Sequence, residues 1–261
     1  MNEKMTQEQR LDTLVEAFKA DSVLYKDLQT PEDSEGKRRI LRSLMNIRMP
    51  KKLDDSVLAV QDEYLRERIS ENGIVTLSEI PMIRNGMSIW QGDITALKID
   101  AIVNAANSGM TGCYRPMHNC IDNCIHSGSG VQLRLKMDEI MRRQGHDEPV
   151  GSAKISPAYN LPCEYVIHVA GPIVYGELEE EHVNQLTTCY RTCMEVADLY
   201  ELTSIAFCCI STGVFGFPKH SAAEIAVQTV KDWKVGKNSG IKVIFNVFGD
   251  EDLAIYRSKF M

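Results

Sequence analysis

The chain has 261 residues, of which 44% are hydrophobic and 25% charged, with a formal net charge of -7. This is the balance of an ordinary globular protein with a sizeable core, and the length suits one large domain or one domain plus an extension. An acidic chain offers no broad basic face to nucleic acid, and no apolar run approaches the ~20 residues of a membrane helix.

The N-terminal stretch "MNEKMTQEQRLDTLVEAF" is charged and lacks the apolar centre of a signal peptide. The eight cysteines are too sparse in a chain this long for a secreted disulfide framework. A cytoplasmic location is therefore expected, with neither membrane nor nucleic acid as partner. In a reducing compartment, clustered cysteines point to metal or catalysis.

Residues 1–80 read as a helical extension. "QEQRLDTLVEAFKAD" places Leu11, Leu14, Val15 and Phe18 on one face, and "GKRRILRSLMNIRM" and "LDDSVLAVQDEYLRERIS" repeat the spacing. "TPEDSEG" is a polar break before the second helix. Asp54 and Asp55 stand near the start of the third, where acidic side chains suit the helix dipole. From residue 81 onward the pattern alternates. "MSIWQGDI", "IDAIVNAAN", "GSAKISPAY", "EYVIHVAG", "TSIAFCCIS" and "KVIFNVF" read as strands, several of them apolar throughout, as in sheets buried on both faces. Helices are expected over residues 121–143, 181–200, 219–233 and 250–259. The alternation predicts a three-layer α/β domain.

Three stretches carry chemistry. "CCISTGVFGFPKHSAAEIAVQTV" is a strand, a glycine-bearing turn and a helix. Gly213 and Gly216 let the backbone approach a ligand closely, Ser211 and Thr212 add hydroxyls, and the helix would aim free N–H groups at the loop. Such a place binds phosphate, although a plain strand-to-helix turn has the same residues. In "WQGDIT", Asp93 either caps the next element or accepts hydrogen bonds from a ligand amine.

The third stretch is "GCYRPMHNCIDNCIH". Cys113, His118 and Cys120 are three good zinc ligands on a loop stiffened by Pro116. Two thiolates favour zinc over magnesium or calcium, and a catalytic zinc keeps one position open. Two alternatives stand beside this. Cys120 and Cys124 can be small buried hydrophobes on a helix, or Cys124 or His126 can replace one of the three ligands. Asp122 and His126 are four apart, so on a helix they share a face. An acid there orients a water or accepts a ligand hydroxyl, or else it is a helix-start aspartate beside a core histidine. The motifs of zinc deaminases and of His-Glu-x-x-His metallopeptidases are missing.

Taken in order, "GDIT", "DAIVNAAN", "IDNCIH", "HVAGP" and "STGVFGFP" resemble the macrodomain, the ADP-ribose-binding α/β fold. The resemblance runs from about residue 82 to the C-terminus. It implies a three-layer α/β/α fold with a mixed central sheet at residues 81–261. Leu14, Phe18, Leu41, Leu44 and Met45 give residues 1–80 an apolar face that needs cover, so this extension is expected to pack on the domain. "NAAN" and "IDNCIH" resemble the MacroD-type ADP-ribose hydrolases more closely. Those enzymes have a shorter, glycine-rich segment where this chain has "GCYRPMHNC", which resembles the zinc-containing macrodomain hydrolases of microbial pathogens.

The resemblance implies roles. Asp93 would accept from the adenine amine, with Ile94 beside it. Asn107 would touch the distal ribose. Ser211, Thr212, Gly213, Val214, Phe215, Gly216 and Phe217 would wrap the diphosphate, with Phe217 near the distal ribose. Asp122 and Asn107 would be catalytic, and Cys113, His118 and Cys120 would hold one zinc ion. The implied substrate is a protein side chain carrying one ADP-ribose. The zinc-containing relatives further suggest a lipoyl-carrier protein modified by a sirtuin-like transferase. The rival readings are a reader that binds ADP-ribose without cleaving it, an O-acetyl-ADP-ribose deacetylase, and a structural zinc with a fourth ligand such as Cys124.

Overall fold

A computed structural model describes residues 5–260; positions 1–4 and 261, which belong to the extension and domain expected above, lie outside it. Three helices come first: α1 (Gln7–Ala20), α2 (Ser34–Ile47) and α3 (Asp55–Asn72). Each begins at a residue suited to the task. Thr6 forms a reciprocal capping box with Gln9. Asp33 caps α2 through the Gly36 amide, and Asp54 caps α3 through the Ser56 amide. Leu11, Leu14, Phe18, Leu41, Leu44, Tyr64 and Leu65 close these helices around a core of their own, joined by Val131 from the main domain. Each such fully buried side chain contributes about 1.5–3 kcal/mol.

The remaining elements are β1 (Val75–Thr76), β2 (Met87–Gln91), β3 (Leu97–Lys98), β4 (Ala101–Ala106), α4 (Ile121–Ser129), α5 (Val131–Gln144), β5 (Ala153–Pro157), β6 (Tyr165–Ala170), α6 (Glu180–Leu199), β7 (Ser204–Phe207), α7 (Lys219–Lys237), β8 (Lys242–Val247) and α8 (Asp250–Ser258). The main sheet runs β2-β8-β7-β4-β6-β5, and β1 pairs with β3 in a small second sheet. All neighbours in the main sheet are parallel except β5, which is antiparallel to β6. The sheet is thus mixed. α4 and α5 pack against β4 and β5, whereas α6, α7 and α8 form a connected layer that packs on β5, β6, β2 and β8. This is the three-layer α/β/α arrangement. Its central strands are buried on both faces, which explains the largely apolar runs in β4, β6 and β7, interrupted by the buried polar residues Asn104, His168 and Ser204.

One difference from the sequence reading is instructive. The single helix expected over residues 121–143 is two helices broken at Gly130, whose φ is +99°. A Cβ there would lie 2.5 Å from Gln132 Oε1 and 2.6 Å from Gln61 Nε2. The tract "HSGSG" at 126–130 carries no apolar residue, so the patterns on either side fit one helix or two, and the backbone conformation at Gly130 decides for two. The break turns the start of α5 toward α3, where Gln61 Oε1 accepts from the Val131 amide and Asp62 Oδ1 accepts from Gln132 and Asn160. Among the described residues, no helix is long and apolar enough to cross a membrane.

Candidate active site

The parallel strands aim their C-terminal ends at one edge of the sheet, where ligands bind in open α/β folds. Asp93 follows β2, Asn107 follows β4, Gly171 follows β6, and the 211–217 loop follows β7. Four of the five motifs thus meet because of topology, and the fifth, "IDNCIH", opens α4 at the end of the loop that leaves β4.

At β2 the chain turns through Gly92, where a Cβ would strike the Trp90 ring at 2.5 Å. Asn246 on β8 donates to Gly92 O at 2.9 Å and fixes the turn. Asp93 is exposed and caps the short 3-10 turn Ile94–Ala96, its Oδ1 accepting from the amide and hydroxyl of Thr95. Ile94 beneath it is buried. The capping alternative is realised through one oxygen only.

The 211–217 loop is shaped internally. Ser211 sits at φ +64° with its hydroxyl buried and without a partner among the described residues. Gly171 makes room for it, since a Cβ there would be 2.3 Å from Ser211 Oγ. The Thr212, Gly216 and Phe217 amides donate within the loop, to Cys209, Gly213 and Ser211 carbonyls. No described acceptor takes the amides of Gly213, Val214 and Phe215, so three successive N–H groups are left for an anion. Gly216 needs its positive φ, whereas a Cβ on Gly213 would meet no protein atom. Phe217 is 2% exposed and belongs to the core; the half-buried aromatic on this loop is Phe215. α7 follows directly, with no capping side chain at its start.

At β4, Asn104 is a polar residue in an apolar strand and is fully buried. Its Nδ2 donates to Asp122 Oδ1 at 2.8 Å and lies 3.1 Å from His168 Nδ1, its register partner on β6. An amide nitrogen only donates, so His168 Nδ1 accepts and its Nε2 donates to Ser156 Oγ at 3.0 Å. Burial holds His168 neutral, pushing its pKa down to about 3. Asp122, at the start of α4, is also buried, and this pushes its carboxyl up to about 6 against the opposing Asn104 hydrogen bond. Asn107 Nδ2 stands 3.4 Å from the second Asp122 oxygen and 3.4 Å from Gly112 O. His126 is one turn on, its Nε2 3.5 Å from Asp122 Oδ1, a long contact that leaves the ring without a good partner. Gly112 comes close to that ring, where a Cβ would lie 2.8 Å from His126 Cγ.

The 113–120 loop leads from Asn107 back to Asp122. The donor atoms of Cys113, His118 and Cys120 all lie within 4.8 Å of one another, the one group of this kind among the described residues. Cys124 stands outside it, its Sγ 3.6 Å from Arg42 Nη2, and His126 is likewise excluded. Cys113 Sγ and His118 Nδ1 are 3.5 Å apart. Zinc–sulfur and zinc–nitrogen bonds at a tetrahedral angle give an edge of about 3.6 Å. Burial pushes the Cys120 thiol up, and the neighbouring Cys113 and Asp122 add to the effect. A sulfur so placed as that of Cys120 becomes a thiolate readily only beside a cation. The donor set therefore fits zinc.

Asn104, Gly112, Asn123 and Arg134 were not singled out in the sequence. Asn123 Nδ2 donates to the carbonyls of Cys113 and Arg115. Asn104 alone left a signal, as a polar residue inside a strand read as buried on both faces.

The fold and this edge define a macrodomain, and the Macro domain family matches residues 103–226. The chain is 50% identical over 256 residues to a protein-ADP-ribose hydrolase of Treponema medium, covering 97% of this chain and 98% of that one. It is 47% identical over 236 residues to the protein-ADP-ribose hydrolase of Staphylococcus aureus strain MSSA476, covering 89% and 88%. An Oceanobacillus iheyensis macrodomain solved with ADP superposes with a TM-score of 0.61 at 32% identity, over 69% of this chain and 93% of that one. The chain belongs to the macrodomain family and, within it, to the protein-ADP-ribose hydrolases.

Proposed function

We propose that the protein is a zinc-dependent hydrolase that removes mono-ADP-ribose from protein side chains by cleaving the linkage at the distal ribose. The observation that carries this reading is the convergence of Cys113, His118 and Cys120 within 4.8 Å, on the loop that joins Asn107 to Asp122. A reader needs the pocket but not three soft donors beside the ribose subsite.

Asp93 would take the adenine amine on the oxygen its cap leaves free, against Ile94. The free amides of Gly213, Val214 and Phe215 would bind the diphosphate, aided by the uncapped start of α7. Ser211, Thr212, Gly216 and Phe217 shape that loop, and Phe215 takes the place beside the distal ribose first given to Phe217, which is buried. Holding the diphosphate fixes the distal ribose over Asn107 and Asp122, and positioning of this kind accounts for a large share of the barrier. Asn104 holds the Asp122 carboxylate in place, and Asp122 accepts a proton from a water or a ribose hydroxyl at its second oxygen, which Asn107 orients. Zinc held by Cys113, His118 and Cys120 would supply Lewis-acid polarisation of an oxygen at its open position.

The proposed partner is a mono-ADP-ribosylated protein in the cytoplasm, where cysteine donors stay reduced. A lipoyl-carrier protein modified by a sirtuin-like transferase is the candidate the zinc-containing relatives suggest. The test is release of ADP-ribose from mono-ADP-ribosylated carriers of defined linkage. Tight binding of ADP-ribose without release from any of them would leave a reader.

A further inference from the structure

The helical extension touches the metal-bearing loop itself. From α2, Arg42 Nη2 donates to the His118 carbonyl at 2.9 Å and to Asn123 Oδ1 at 2.9 Å. Asn123 in turn holds the carbonyls of Cys113 and Arg115. One turn along α2, Asn46 Oδ1 accepts from the Met117 amide at 3.0 Å, and its Nδ2 donates to Ser127 Oγ at 2.9 Å. Met117 has a φ of +55°, a conformation a methionine adopts only when its surroundings impose it. Met117 directly precedes His118 in the loop.

A buried guanidinium ties the same two parts together. Arg134 Nη1 donates to the carbonyls of Met45, Asn46 and Arg48 at the end of α2, at 3.2, 2.6 and 2.7 Å. Its Nε donates to Thr111 O at 2.8 Å and its Nη2 to Cys113 O at 3.3 Å. Its guanidinium carbon lies 4.1 Å from the centre of the Tyr114 ring. The backbone at Cys113 and at His118 is therefore anchored on α2, while Cys120 is anchored separately as the N-cap of α4, its Sγ accepting from the Asn123 amide.

We propose that the N-terminal extension is part of the metal site: Arg42 and Asn46 are positioning residues that hold the 113–120 loop so that its three donors converge. The proposal rests on the reading of Cys113, His118 and Cys120 as a zinc site. It gives residues 1–80 a role at the active site rather than only as a covering layer. The adenine and diphosphate sites lie on other strands and should not feel these contacts.

The test uses the full chain loaded with zinc. Arg42→Ala, Asn46→Ala and the conservative Arg42→Lys are compared with the unsubstituted protein by competition with a chromogenic zinc chelator. ADP-ribose affinity by calorimetry, thermal midpoint and the absorption spectrum of the cobalt(II) form are followed in parallel. Loss of partners that orient metal ligands weakens metal binding by about 10–100-fold. That loss is expected for both alanine variants, with an altered cobalt spectrum and ADP-ribose affinity kept within about twofold. Arg42→Lys, which can still reach the His118 carbonyl, is expected to recover most of the zinc affinity. Tight zinc in the unsubstituted chain that both alanine variants keep would overturn the proposal while sparing the zinc site. A parallel fall in ADP-ribose affinity would also overturn it, because the contacts would then support the whole fold. An unsubstituted chain that fails to compete for zinc would remove the site and the proposal together.

Discussion

Asn104→Leu isolates the buried clamp on Asp122. Leucine comes close to asparagine in shape but removes both donations from Nδ2, one to Asp122 Oδ1 at 2.8 Å and one to His168 Nδ1 at 3.1 Å. Each deserted, buried partner costs about 1–3 kcal/mol. The substitution also removes Asn104 Oδ1, which is buried without a partner, and that returns about 1–2 kcal/mol. The net loss of stability is about 3 kcal/mol, read as a lower urea midpoint with unchanged slope. Turnover should fall further than stability requires, because Asp122 loses its orientation, while ADP-ribose affinity stays near its original value. Unchanged stability together with unchanged turnover would refute the view that Asn104 holds a working carboxylate.

The other predictions follow from the same geometry. Cys120→Ser keeps an N-cap for α4, since serine accepts well there, so the variant should fold and bind ADP-ribose while holding little zinc and turning over about a hundredfold more slowly or worse; full turnover without metal would leave Asp122 as the catalytic centre. Gly213→Val should leave folding unaffected, because a Cβ there meets no protein atom, yet weaken ADP-ribose binding by covering the free amides; unchanged affinity in calorimetry would remove this loop from the phosphate site. His168 has a folded pKa of about 3 against ~6.5 unfolded, so below pH ~6.5 the unfolded state gains a proton that the native state refuses. Stability should drop by about 2 kcal/mol on going to pH 5, and His168→Gln should flatten that part of the profile; an identical profile would mean that His168 is protonated in the native state.

Much of this was legible in the sequence. The apolar runs around Ile102, Ile167 and Phe245 marked strands buried on both faces, and the order of strands and helices gave the three layers. The spacing of Cys113, His118 and Cys120 singled out the same three donors that converge in space, because a short loop leaves them few other places to go. The break at Gly130 was marked only by the "SGSG" tract at 127–130, which a single long helix passes over; its positive φ leaves no mark on the periodicity of either side. Phe217 and Phe215 were not separable by sequence, since both are aromatic and two residues apart, and only the structure shows that Phe217 is buried and Phe215 half-buried. The roles of Arg42, Asn46 and Arg134 were hidden for another reason. They bond to backbone carbonyls and amides some 70 to 90 positions away, and such contacts impose no residue pattern at the receiving end.

The most direct test of zinc-dependent de-ADP-ribosylation is one titration. Protein purified without added metal is analysed for zinc, and its release of ADP-ribose from a mono-ADP-ribosylated carrier is followed as a chelator removes the metal and zinc is then restored. The account predicts about one zinc per chain, with release falling in proportion to the zinc removed and returning when it is replaced. Full release from protein holding far less than one equivalent would contradict it.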